Sequence, residues 1–266
     1  QHRAVSLAQQ NMFTALSGDH NPIHVDAHYA RRVMIGNIVV HGIHTLLWSL
    51  DCLARKLATP VRIQSLNVVF QASYTLGETI AWAIECNDLH ATLCVQRGAT
   101  TIMTAELQLL ADKSSSQHSI INKCPPLETP LKLTNDDIST QCDSIELCLD
   151  RQSCRTLFPH TTEKLPPEQL AFLLSCTRIV GMKCPGWDSI FSSLNCTFSN
   201  SNNNTSNKKT IHYHVKHFDT RFSRVAMEVR SDFCRGEICA FHRPAPQQQP
   251  TIAEIVKHVA TDEFKH

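Results

Sequence analysis

No stretch of the 266-residue sequence approaches the ~20 uncharged apolar residues that a membrane-spanning helix needs, so no membrane partner is expected. An excess of one sign of charge is lacking too. Lys and Arg number 25 against 24 Asp and Glu, a net charge of +1, which excludes the one-sided basic field that nucleic acid would select. Neither a CxxC pair nor an HExxH motif occurs, and the twelve cysteines (Cys52, Cys86, Cys94, Cys148, Cys196 and Cys239 among them) lack the spacing of a disulfide framework. They read as thiols among apolar positions in a reducing, cytoplasmic setting. With no ligand spacing to support one, no metal is expected despite fifteen histidines. Because the chain opens on Gln1, targeting is not read from this end.

What is present is chain enough for two domains, since one core usually serves ~100–150 residues. Residues 7–17 and 43–57 have helical apolar spacing; in the second, Ile43, Leu46, Leu47, Leu50, Leu53, Ala54 and Leu57 share a face, so it should be largely buried. Strand-like runs follow near 62–73, 78–87, 89–97 and 100–111, separated by turn residues at Gly77, Asn87-Asp88 and Gly98. A helix followed by an antiparallel meander outlines an α+β domain, set at 1–112. Residues 113–141, rich in Ser, Pro, Asn and Asp, read as a linker. Over 142–246 the plan repeats: a short strand near 143–149, a helix near 166–182 opening on Pro166-Pro167, and strands near 189–199, 209–218, 222–231 and 235–243. Residues 200–208 form a polar insert expected as a loop, and 247–266 a tail with a short helix from Thr251.

The chemistry-bearing residues crowd between the first two helices, in FTALSGDHNPIHVDAHYA and, shortly after, IVVHGIHTLLWS. Asp19, Asn21, His24 and Asp26 fall within eight residues, where Gly18 and Asn21-Pro22 impose an irregular backbone. Alone, an Asp and a His five apart are more often turn-capping residues than a catalytic pair. Together they can bind one water and pass two protons. Gly42 opens the second helix, whose first amides lack intrahelical partners and sit at the positive end of its dipole, so its N–H is the candidate oxyanion donor. Asn21, His41 and Ser49 are the candidate substrate-contacting residues beside the catalytic set Asp19, His24 and Gly42. Each has a structural role in competition: loop fixing for Asn21, helix-start hydrogen bonds for His41, an ordinary helical side chain for Ser49.

This segment closely resembles the signature of the MaoC-like dehydratase and (R)-specific enoyl-CoA hydratase family, through Phe13, Leu16, Ser17, Gly18, Asp19, Asn21, Pro22, Ile23, His24, Asp26, Tyr29, Ala30, Ile38, His41 and Gly42. RIQSLNVVFQASYTLGETIAWAIE extends the likeness, with Glu78 where the family has Asp, and the strand before the first helix is reduced to residues 1–5 or lost. The resemblance implies a hot dog fold and hydration of trans-2-enoyl thioesters or dehydration of (R)-3-hydroxyacyl thioesters by Asp19 and His24, with the Gly42 amide on the substrate carbonyl. It implies no cofactor beyond the coenzyme A or phosphopantetheine of the substrate, so acyl-CoA or acyl carrier protein is the expected partner. In the second unit CPGWDSIFSSLNCTF resembles the exit from a hot dog central helix, yet no Asp-x-x-x-x-His loop precedes it. The whole then reads as a double hot dog with a degenerate second half, an internal pseudo-dimer with further association into a homodimer open.

Trp48 is expected near the acyl tunnel, and Arg31, Arg32, Arg55, Lys56 and Arg62 are candidates for meeting the carrier. The run Arg178, Gly181, Met182, Lys183 has two readings, a solvated helix end first and a border of the pocket meeting a pantetheine or phosphate second, and His212, His214 and His217 read as the outer face of a strand. Two other functions stay open: thioester hydrolysis on the same fold, against which the SGDHNPIH loop argues, and acyl-thioester binding or scaffolding without turnover.

Overall fold

The computed structural model describes residues 2–33, 35–112, 124–199, 210–244 and 251–258. The expected loop at 200–208, part of the linker and most of the tail fall outside them.

In the first half β1 (His2–Arg3) leads into α1 (Leu7–Ser17), then α2 (Pro22–Val25), α3 (Ala27–Arg32) and α4 (Gly42–Ala54), followed by β2 (Val61–Phe70), β3 (Ile80–Asn87), β4 (His90–Arg97) and β5 (Thr100–Ala111). The second half has α5 (Asn135–Ser139), β6 (Cys142–Glu146), α6 (Arg151–Leu157), α7 (Pro159–Lys164) and α8 (Pro167–Arg178), which runs on into a π-helical turn, Ile179–Lys183. It closes with β7 (Ser189–Phe198), β8 (Thr210–Asp219), β9 (Arg224–Arg230), β10 (Cys234–His242) and α9 (Ile252–His258).

The ten strands form one antiparallel sheet in the order β1-β3-β4-β5-β2-β7-β10-β9-β8-β6. Each half therefore has the same local order, first-third-fourth-fifth-second, and the halves meet where β2 pairs with β7 around Asn67 opposite Asn195. This is the double hot dog arrangement, a five-stranded sheet with a long helix in each half, joined edge to edge. Past the last rung of that junction, at a bulge in β2, the Gln169 amide of α8 receives the Ile63 N–H at 2.9 Å and donates to its carbonyl at 2.7 Å. One side chain thus satisfies backbone groups that no strand reaches.

Both central helices are buried over nearly their whole length, through apolar side chains that fill the core and, in α8, polar ones that include Gln169, Ser175, Thr177 and Arg178. Ile43, Leu46, Leu47, Leu50 and Leu53 of α4, and Leu170, Phe172, Leu173 and Leu174 of α8, belong to one core cluster spanning both halves. At α1, Ser6 and Gln9 form a capping box, and Gly18 closes the helix at φ +73, a left-handed conformation that favours glycine. All twelve cysteines are free thiols, seven of them buried. Among the described residues no helix is long and apolar enough to cross a membrane.

Of three short helices, α5 falls within the expected linker, and α6 and α7 occupy chain between the expected strand and helix to which the sequence assigns no element. The run Arg178 to Met182, expected as a solvated helix end, is buried instead: it packs against the turn between α1 and α2, and Arg178 is only 3% exposed. The three histidines of β8 are exposed, as their alternation indicates.

Candidate active site

The turn from Gly18 to Asn21 is built by its own side chains. The Ser17 hydroxyl accepts from the Asp19 amide at 3.2 Å, Asp19 Oδ1 accepts from the Asn21 amide at 3.1 Å, and Asn21 Oδ1 caps α2 through the Ile23 amide at 3.2 Å. These contacts turn the Asp19 carboxylate inward, where it is 1% exposed. Its Oδ2 accepts from the Thr177 hydroxyl of α8 at 2.7 Å.

His24 Nδ1 lies 2.8 Å from the Val39 carbonyl oxygen, which can only accept, so Nδ1 carries the hydrogen and Nε2 keeps a lone pair. Beneath it His41 stacks ring on ring, centroids 3.7 Å apart. By the same logic His41 Nε2 donates to the Asp19 carbonyl oxygen at 3.1 Å, while its Nδ1 accepts from the Gln10 amide at 3.1 Å. Asp19, His24 and His41 each offer a polar atom within 4.8 Å of the others, a spacing that could hold a cation. Both His41 nitrogens are already engaged, which leaves one carboxylate and one imidazole for chemistry.

Electrostatics push these groups toward their neutral forms. Burial raises the Asp19 carboxyl above its ordinary value, against the opposing pull of His24, the Thr177 hydroxyl and the Asn21 amide. Burial lowers His24, partly offset by Asp19, and lowers His41 further, with the His24 and His44 imidazoles adding to it. A carboxyl moved up and an imidazole moved down exchange a proton more readily than the free side chains would.

The pair opens on a cleft of about 610 Å³, the open solvent at its mouth included. Gly42 lines it at the first position of α4, and a Cβ there would lie 3.0–3.2 Å from the Phe70 ring. Phe70, Ala72, Tyr74 and Ile102 give the first half's wall; Thr177, Val180, Gly181 and Phe191 give the other.

The structure thus brings Asp19, His24 and Gly42 to one cavity, while Asn21, His41 and Ser49 stand behind its wall. The Asn21 side-chain amide reaches the carbonyl oxygens of Gly181, Gly186 and Trp187 at 2.9–3.1 Å, tying the loop to the second half. Ser49 accepts from Trp82 Nε1 at 2.8 Å and donates to the Thr45 carbonyl at 2.9 Å. Trp48 is buried under the Arg3 guanidinium, 3.8 Å from its ring centroid, and does not line the cleft. Of the basic candidates, Arg62 lies 3.9 Å from Glu168, and Arg55 and Lys56 lie beyond the far end of α4 from Gly42. Thr177, whose hydroxyl meets Asp19, carries no signal in the sequence; Gly181 does, as a glycine inside an apolar helical run, and its place in the cleft wall agrees with the second reading of that run.

Two solved structures superpose along nearly the whole chain. A MaoC-like dehydratase does so with a TM-score of 0.56 at 10% identity, covering 91% of this chain and 96% of that one. A MaoC-like dehydratase from Phytophthora capsici gives 0.51 at 9%, covering 91% and 95%. The chain accordingly has the double hot dog fold of these proteins. Residues 1–106 match the family described as MaoC like domain. The 3-hydroxybutyryl-CoA dehydratase of Methylorubrum extorquens is 31% identical over 80 residues, which is 29% of this chain and 50% of that protein. The match therefore spans about half the length of this curated relative.

Proposed function

We propose that the protein is a hydro-lyase that hydrates trans-2-enoyl thioesters, or dehydrates (R)-3-hydroxyacyl thioesters, carried on coenzyme A or acyl carrier protein. The observation that carries this reading is the convergence of the Asp19 carboxylate and the His24 imidazole in one cleft that also contains the first amide of α4. The relative named as acting on 3-hydroxybutyryl-CoA supports the substrate class.

In the hydration direction a water held between Asp19 and His24 Nε2 loses a proton to the pair as its oxygen bonds to C3. The double-bond electrons move toward the thioester, and the Gly42 N–H meets the negative charge on the carbonyl oxygen. One proton then reaches C2 from the pair, which ends in its starting state. Every atom of water is in the product, and dehydration runs the same steps in reverse. The chemistry asks nothing of a cofactor beyond the thioester itself.

Purified protein mixed with crotonyl-CoA and longer 2-enoyl-CoA homologues should deplete the conjugated thioester absorbance, and His24→Ala should abolish the change. Binding of the thioester with no turnover would replace this reading with that of a binding module. Release of free thiol would replace it with a thioesterase.

A further inference from the structure

We propose that the central helix of the second half positions the Asp19 carboxylate, with Thr177 and Gly181 as its working residues. The proposal rests on the hydro-lyase reading of this cleft and assigns a part in it to the half with no Asp-x-x-x-x-His loop of its own.

Three consecutive loop residues meet one stretch of helix. Asp19 Oδ2 receives the Thr177 hydroxyl at 2.7 Å, the His20 amide donates to Met182 Sδ at 3.1 Å, and the Asn21 side chain donates to the Gly181 carbonyl at 3.1 Å. In a helix a hydroxyl commonly bonds back to the carbonyl four residues earlier. Both hydroxyls of α4 nearest the site do so: Ser49 reaches Thr45 at 2.9 Å and Thr45 reaches His41 at 3.3 Å. Thr177 instead reaches a carboxylate 158 residues away in sequence, and it is itself 3% exposed.

Gly181 completes the arrangement. A Cβ there would lie 2.5 Å from Asp19 Cγ and 2.6 Å from Oδ2, closer than real Cβ contacts allow, so the carboxylate occupies the place of a side chain. Gly181 is the central residue of the π turn, and π turns inserted in α-helices often mark functional sites. With the Asn21 amide on Oδ1 and the Thr177 hydroxyl on Oδ2, both carboxylate oxygens are anchored and the plane of the group is fixed. Asp19 so held is part of the cleft lining. Without Thr177 the carboxylate is free to turn about its Cβ–Cγ bond, losing both its alignment on the water and one contact that favours its charged form.

The test compares the full chain with Thr177→Val and Thr177→Ser. Thr177→Val keeps the shape and removes the hydroxyl; kcat should fall about ten- to hundredfold, as expected for losing a hydrogen bond to a charged group, with KM nearly unchanged. The limb of the pH profile that follows Asp19 should move to higher pH. Thr177→Ser should restore both kcat and the profile. A carboxyl 13C titration of Asp19 reads the same contact without turnover: its midpoint should rise in Thr177→Val and return in Thr177→Ser. Equal activity and unchanged titration in Thr177→Val overturn the proposal, as does a Ser variant as impaired as Val. If the wild type turns over no thioester, the hydro-lyase reading fails by itself, and the titration still decides whether Thr177 governs Asp19.

Discussion

Replacing Asp19 by Asn should move activity and stability in opposite directions. Asparagine keeps the shape: its oxygen can still accept from the Asn21 amide, and its amide can donate to the Thr177 oxygen once that hydroxyl rotates. It cannot exchange a proton with water. General acid–base catalysis contributes about 10²–10⁴ in rate, so turnover should fall by that factor, about 3–5 kcal/mol of barrier. Stability follows the proton. Burial raises the Asp19 carboxyl above its ordinary 3.8, so the folded state holds the proton more tightly than the unfolded chain. The stabilisation from that extra proton is complete below the unfolded value and is lost as pH rises through the folded one. Near neutral pH the wild type therefore carries a buried charge that Asp19→Asn lacks. Urea unfolding at a series of pH values should give the variant the higher midpoint near neutrality and erase the difference in acid. A less stable variant at neutral pH would trace the lost activity to damaged folding, and turnover within tenfold of wild type would remove Asp19 from the chemistry.

His44 is fully buried with no hydrogen-bond partner on either ring nitrogen, stacked on Phe13 with centroids 4.5 Å apart, and burial pushes it down to about 3. A lowered imidazole loses its share of stability as pH falls from the ordinary 6.5 toward the folded value, so His44→Leu, close in volume, should raise the unfolding midpoint and flatten its decline in acid. Asn21→Ala removes a helix cap and the donor group shared by three carbonyls, two of them buried; a loss of about 2–4 kcal/mol is expected in chemical denaturation, and less than about 0.5 would refute the clamp between the halves. Gly42→Ala places a methyl against the Phe70 ring at the cleft wall, so kcat/KM should fall about tenfold while the fold persists, as steady-state kinetics and circular dichroism can check.

Much of this architecture is written in local pattern. The stripe from Ile43 to Leu53 announces α4, and the alternation of Ile211 and Tyr213, then of Val225, Met227 and Val229, announces β8 and β9. The short helices escaped because a single turn has no period to detect, although Asp150 before Ser153 and Pro159 at a first turn are start signals. The site divides in the same way. Asp19, His24 and Gly42 lie within 24 residues and one loop holds the first two, so their conjunction is visible in the chain. Thr177 has no such neighbours: its meaning comes from a helix brought across the sheet junction, which no spacing within its own segment encodes. Gly181 did carry a trace. Glycine inside a helix costs about 1 kcal/mol relative to alanine, and tolerance of that cost within RIVGMK points to something pressing close. Arg178 looked like a charged helix end, but its guanidinium donates to the Glu146 carbonyl inside the second half, a partner that sequence position alone does not reveal.

The mirrored strand order has a practical result for a molecule whose halves lie on one chain. Two separate subunits would meet with a probability set by concentration and would come apart on dilution. Tethered halves find each other at an effective concentration in the millimolar range. The β2–β7 seam, and with it the meeting of Asp19 with α8, should therefore survive at protein levels where an unlinked pair would dissociate.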